Sequence, residues 1–262
     1  MKHVRLRSLA ARLLVAAAAV LATGCATVAP PGGPSAAVSR ADPWESFNRK
    51  VFAFNDAIDE ALFKPVAEGY RKVVPSPVRQ GVSNFFGNIG DVWSATNHLL
   101  QGKVEPGLEM GLRVAFNTVF GFVGVLDIAG EAGLTRRSED FGQTLAVWGI
   151  SSGPYVVMPL LGPSTLRDSA TLPVDRYYGS MGRFFEDYNV YATSALQLVN
   201  LRAELLDASK LAGEVSLDKY VFFRDAYFSR RLDQIYDGAA PLENLDPEDD
   251  KKPETKGAAP KK

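Results

Sequence analysis

The sequence predicts an all-α domain behind a short N-terminal leader. Three observations lead there. Apolar residues recur at steps of three and four along several long stretches, the spacing of one helix face. Alternating strand patterns are scarce. With 46% hydrophobic residues in 262, the span from about 42 to 238 is long enough for one domain with a substantial core.

The leader comes first. Lys2, Arg5, Arg7 and Arg12 precede an acid-free apolar run, Leu13 to Leu21, ending in Ala22-Thr23-Gly24-Cys25. This is a secretory signal peptide, since the run is roughly half the ~20 residues that a spanning helix needs. A cysteine after two small residues resembles a lipobox, in which the thiol is alkylated by diacylglycerol and the chain is then cut in front of it. Ala22 stands where a lipobox usually carries Leu, which here is shifted to Leu21. Residues 1–24 are therefore expected to be a lipoprotein signal peptide, with Cys25 as the lipid attachment site. Ala26, in place of Asp, favours the outer membrane by resemblance to lipoprotein sorting in enteric bacteria.

Loss of four basic residues takes the balance from 29 basic and 30 acidic to 25 and 30, so no basic excess points to nucleic acid. With the single Cys acylated, no thiol remains for a disulfide, a redox pair or a cysteine nucleophile. Residues 25–41, rich in Pro, Gly and Ser, read as a lipidated tether. Residues 239–262, acidic and then lysine-rich, read as a solvated, disordered tail.

The body, 42–238, opens on Asp42-Pro43 with Glu45 placed to complete a capping box. Trp44, Phe47, Val51, Phe54, Ile58 and Leu62 then form one apolar helix face. Further helices are expected at 77–86, 88–101, 105–120, 139–148, 187–213 and 216–236. Two stretches do not suit an ordinary soluble bundle. Thr118–Gly133 is apolar but interrupted by Gly121, Gly124, Gly130 and Gly133, and Phe141–Leu166 carries no charge and is broken by glycines and prolines. Broken backbone cannot face lipid tails unless its polar groups are satisfied, so neither is a conventional spanning helix. One reading is a glycine-rich loop in a soluble core. The other is a monotopic body whose amphipathic helices lie in one leaflet.

Catalytic patterns are weak. Gly149-Ile150-Ser151-Ser152-Gly153 matches the nucleophile-elbow pattern of lipases, but that fold places its histidine after the serine. Beyond the leader the one histidine is His98, upstream and inside a predicted helix, where it reads as a helix-surface or interface residue. No common zinc site can be assembled from one His and no free Cys. Asp127 and Asp168 read as structural carboxylates. No enzyme activity, cofactor or metal is expected.

Several motifs together resemble the MlaA (VacJ) family. They are Asp42-Pro43-Trp44-Glu45-Ser46-Phe47-Asn48-Arg49, followed by Asn55; Leu99-Leu100-Gln101-Gly102; Phe116-Asn117-Thr118; Asp140-Phe141-Gly142-Gln143-Thr144-Leu145; Gly153-Pro154-Tyr155; Gly162-Pro163-Ser164-Thr165-Leu166-Arg167-Asp168; and Arg224-Asp225-Ala226-Tyr227-Phe228. The resemblance spans about residues 40–238 in one order. It implies a ring-like helical lipoprotein with an amphipathic channel, set in the inner leaflet of the outer membrane and facing the periplasm. The expected partners are phospholipid, an outer-membrane trimeric porin and the soluble periplasmic carrier MlaC. The implied role is removal of phospholipids that have strayed into the outer leaflet. A lipid-anchored structural or assembly protein without a conduit is the alternative. Within this scheme Phe120, Gly121, Phe122, Val123, Gly124, Val125, Leu126 and Asp127 are the candidate channel or gate segment, against the bland alternative of a packed glycine turn in the core.

Cys25→Ser is expected to leave uncleaved or unlipidated precursor; a mature mass unchanged by the substitution would refute lipidation at Cys25.

Overall fold

The computed structural model describes residues 42–179 and 187–240. The expected signal peptide, Cys25, the tether to residue 41 and the tail from 241 lie outside the described residues. The described body is helical, with one small hairpin, as expected for an all-α chain.

Its first element is a long helical rod. Helix α1 (Glu45–Ile58) runs through a π-helical turn (Asp59–Phe63) into α2 (Lys64–Val73). Pro65, just past the π turn, has no N–H to give to the ladder. The expected capping box is not formed: α1 starts two residues later than the motif suggests, with Trp44 at the N-cap and no side-chain cap bond. Asp42 instead accepts Asn48 Nδ2 at 2.8 Å and the Tyr220 hydroxyl, so tertiary partners outcompete the local amides.

Helix α3 (Ser76–Leu100) packs along α4 (Val104–Val119), the most extensive helix pair. The two helices expected at 77–86 and 88–101 are one. Gly87, which reads as a break, is there for close approach: a Cβ would lie 2.6 Å from the Arg136 guanidinium. A short α5 (Ile128–Glu131) and α6 (Phe141–Val147) follow, each with an Asp side chain at its N-cap, Asp127 to Gly130 N and Asp140 to Gln143 N.

The charge-free stretch then makes an antiparallel hairpin, β1 (Tyr155–Met158) and β2 (Gly162–Thr165), in register Tyr155↔Thr165 to Met158↔Gly162. Four residues are too few for alternation to show in the sequence. Helix α7 (Leu166–Gly179) leaves β2 directly. The stretch expected as one helix over 187–213 is two, α8 (Asp187–Glu204) and α9 (Leu206–Val215), interrupted at Leu205 (φ −85°, ψ −3°). Helix α10 (Lys219–Ile235) closes the body, capped by Asp218.

Among the described residues, apolar packing is concentrated in two small centres. Tyr155 and Val157 of the hairpin meet Tyr220, Phe228, Leu232 and Ile235 of α10. Ala67 of α2 meets Ala203 and Leu206 of α8 and α9. Elsewhere the buried side chains among the described residues are mostly polar, with Met110, Ala129 and Ala212 as apolar exceptions.

Candidate functional site

The helices turn their polar sides inward. On α3 the buried positions are Gly81, Asn84, Asn88, Asp91, Ser94, Asn97 and His98, at helical spacing, while Val78, Val92, Leu99 and Leu100 are exposed. On α4 Arg113 and Asn117 are buried, and Val104, Leu108, Leu112, Phe116 and Val119 form an exposed stripe. Most of the apolar face expected on α1 points outward: Phe47 is 55% and Phe54 51% exposed, whereas Val51 packs against the hairpin centre and Asn48 is fully buried. Scattered exposed leucines are ordinary. Continuous apolar stripes on several helices mark a surface that meets something apolar.

Buried polar groups must be paired, and here they form two centres. The first joins α3, α4 and the glycine-rich turn. Arg113 Nη2 grips both Asp127 oxygens at 2.8 and 3.0 Å, and its Nε lies 3.5 Å from Asp91, within ion-pair range but not hydrogen-bonded. Asp127 also accepts Asn117 Nδ2 at 2.8 Å and Gly130 N at 3.0 Å, and Asn117 returns its Oδ1 to Ala129 N at 2.8 Å. Burial raises the Asp91 carboxyl in spite of Arg136 and Arg113. Burial also pushes Asp127 up, but the bonds from Asn117, Arg113 and the Gly130 amide prevail and lower it. The two carboxylates beside Arg113 therefore shift in opposite directions, as their donor counts require.

The candidate segment 120–127 is held at its base by this centre. Asn84 Nδ2 donates to Val125 O at 3.1 Å. Gly121 and Gly124 are buried where a Cβ would overlap Leu126 O and the Asn88 side chain, at 2.3 and 2.6 Å. Its tip is outside: Phe120, Phe122 and Val123 are exposed, Val125 and Leu126 less so. Phe122 and Val123 hold left-handed φ values of 51° and 60°, and a β-branched residue pays for that conformation in strain. The packed-core-turn alternative does not hold for the tip.

The second centre gathers the other motif residues around the hairpin. Arg231 of α10 reaches Asp140 (Nη1 2.6 Å, Nη2 2.8 Å) and Asp168 (Nε and Nη2, both 2.9 Å). Asp168 also takes Arg167 Nε at 2.9 Å and the Tyr227 hydroxyl at 2.7 Å. Burial alone would raise Asp168, but Arg231 and Arg167 hold it down at about 2. Burial and the neighbouring Asp168 push the Tyr227 hydroxyl up. Arg167 Nη1 donates to Ile150 O at 3.1 Å, and Leu166 N to Pro154 O at 3.0 Å, tying the Gly153-Pro154 end of the loop to α7. On α1, Asn48 and Asn55 bond to the β1 backbone, and Arg49 lies over the Tyr220 ring at 4.4 Å while pairing with Glu45 and Asp218. Pro43 is an exposed turn residue.

His98 corrects the surface expectation. It is fully buried, with Nε2 3.2 Å from Arg137 O and Nδ1 3.8 Å from Glu139. Ser151 is exposed in coil between α6 and β1, not on a strand-to-helix turn. Asp127 and Asp168 are each paired with arginine.

Sequence reasoning missed Arg113, Arg231 and the inward polar face of α3. The last had a signal: Asn84, Asn88, Asp91, Ser94 and Asn97 recur at steps of three and four on an otherwise apolar helix. The arginines had none, because their partners lie 14 to 91 residues away.

Comparison with known proteins joins this geometry to a family. The family model described as MlaA lipoprotein matches residues 40–234. The chain belongs to the MlaA family. The Escherichia coli (strain K12) protein named intermembrane phospholipid transport system lipoprotein MlaA is 37% identical over 195 residues, 73% of this chain and 77% of that protein. Its Haemophilus influenzae namesake is 30% identical over 227 residues, 84% and 88% of the two chains. A solved chain, presented as the structural basis for maintenance of bacterial outer membrane lipid asymmetry, is 36% identical with a TM-score of 0.64, covering 73% of this chain and 97% of its own. Among the described residues no helix is long and apolar enough to cross a membrane.

Asp168 titrates below its usual value, so its contribution of roughly 2 kcal/mol is present above about pH 4 and lost as pH falls toward 2. Asp168→Asn should therefore lose less stability than the parent between pH 4 and 2. Arg231→Ala should cost about 3–5 kcal/mol at neutral pH, because it leaves the half-buried Asp140 without its arginine and the buried Asp168 with Arg167 alone. Chemical denaturation in detergent at each pH measures both. For the first centre, Val123→Asp should leave folded protein at near-normal levels, since the site is exposed and Asp tolerates a left-handed φ better than Val. Disappearance from an immunoblot would show that the tip is packed after all.

Proposed function

We propose that this chain is an outer-membrane lipoprotein that removes mislocalised phospholipids from the outer leaflet and passes them to a periplasmic carrier, keeping the membrane asymmetric. The observation that carries the proposal is the inverted polarity of the body, in a family whose named members are phospholipid-transport lipoproteins. Apolar stripes on α1, α3 and α4 suit immersion in one leaflet, with Cys25 supplying acyl chains on the periplasmic side. The inward polar face suits the other half of the task. A phospholipid leaving the membrane needs a polar passage for its head group and an apolar wall for its tails. A ring-like body with both surfaces lowers that barrier with no bond made or broken.

Asn84, Asn88 and Ser94 are the groups we assign to a head-group path, beside the glycine-rich segment 120–127 as its gate. The apolar, strained tip of that segment, on a bolted base, supports the assignment. Direction comes from the acceptor: a passage with equal affinity for lipid from both sides shifts no equilibrium, so a tighter carrier of the MlaC type draws lipid out. A trimeric porin is the partner that would hold such a body in the membrane. Residues 1–24, 25–41, 42–238 and 239–262 act as signal, tether, functional body and tail.

Two measurements test the reading. A variant without Cys25, exported to the periplasm, should still need detergent to stay monodisperse. Deletion of the gene should raise outer-leaflet phospholipid and detergent sensitivity, and Val123→Asp should do the same with the protein still present. A deletion strain with a normal outer leaflet would leave a lipid-anchored scaffold as the better account.

A further inference from the structure

Asn48 and Asn55 stand two helical turns apart on α1, and each exchanges two hydrogen bonds with the hairpin backbone, Asn48 along the outer edge of β1 and Asn55 where the chain leaves β1 for the turn. Asn48 Nδ2 donates to Tyr155 O at 3.1 Å, and its Oδ1 accepts Val157 N at 2.9 Å. Asn55 Nδ2 donates to Met158 O at 2.9 Å, and its Oδ1 accepts Leu160 N at 2.8 Å. A carboxamide offers an N–H and a C=O in one plane, as a peptide unit does, so Asn48 stands in for a neighbouring strand on β1 and Asn55 satisfies backbone groups of the turn that no strand pairs.

The two sites differ. Asn48 is fully buried and donates also to Asp42. Asn55 is only partly buried, and it holds the backbone of a tip, Pro159-Leu160-Leu161, whose two leucines are about half exposed. Leu160 sits at a left-handed φ of 63°, unfavourable for Leu, with its N–H given to Asn55.

We propose that Asn48 and Asn55 are positioning residues for this tip: Asn48 is the fixed point, and Asn55 is a latch that keeps Leu160 and Leu161 presented to the acyl chains of a phospholipid. The lipid half of this inference rests on the function proposed above; the latch does not. Release of the Asn55 pair loosens the tip without unfolding the hairpin, because the Asn48 pair and the β1–β2 ladder remain.

The test uses full-length lipidated protein reconstituted in phospholipid vesicles. By hydrogen exchange, Asn55→Ala should speed exchange of the Leu160 amide at least about tenfold, the scale of losing a protective hydrogen bond, and leave the Val157 amide as it was. Asn55→Asp, which keeps the acceptor and loses the donor, should fall between. Unchanged exchange at Leu160 in Asn55→Ala would overturn the latch, and equal acceleration at Val157 would overturn the division of labour. In the same vesicles, transfer of labelled phosphatidylglycerol to acceptor vesicles should change several-fold in Asn55→Ala and in Leu160→Asp. Parent-like transfer in both would overturn the lipid contact. Failure of the parent protein to move any lipid would overturn that contact together with the function it rests on, while the exchange result still decides the latch.

Discussion

A polar group withdrawn from water must find a partner, and in this protein that requirement holds the body together where a hydrophobic core ordinarily would. The apolar centres are small: one between the hairpin and α10, one of small side chains between α2 and the α8–α9 pair. Between them the helices meet through amides, carboxylates and guanidinium groups. Such a body suits a medium that solvates its outer apolar stripes, because there the hydrophobic effect no longer presses those stripes inward and internal hydrogen bonds gain weight.

The two arginine centres divide the labour. Arg231 fastens the last helix to both ends of the charge-free stretch, since Asp140 caps α6 before the hairpin and Asp168 opens α7 after it. Arg113 fastens the glycine-rich turn to α4 through Asp127. Each lies at the base of an exposed apolar tip with left-handed residues, Phe122-Val123 in one case and Leu160 in the other. Polar footings under strained apolar tips are thus common to both elements.

The glycines follow the same division. Gly87 gives room for the Arg136 guanidinium on α3, and Gly142 leaves space for Arg231 and Asp168, each under 3 Å from where a Cβ would be. Side chains there would separate the charged groups from their partners. Read only as helix breakers, such glycines misplace boundaries, which is why α3 reads as two helices.

What the sequence by itself determined is the set of elements and their amphipathic character. The 3.6-residue periodicity marks α1, α3, α4 and α10, and periodicity is local. The motifs from Asp42 to Phe228 were also legible, and with them the family. The direction each stripe faces was not. An apolar stripe carries the same pattern whether it faces a core or a lipid, and only the tertiary structure showed Phe47 and Phe54 outside with Asn48 inside. Nor could the sequence pair Arg231 with Asp140 and Asp168, or Asn55 with the β1 edge 103 residues on, because side chains leave no local trace of partners that long-range packing brings to them. The hairpin went unseen for a related reason. Its strands are four residues long, and they are defined by the partners that satisfy their backbone, α1 on one edge and each other between.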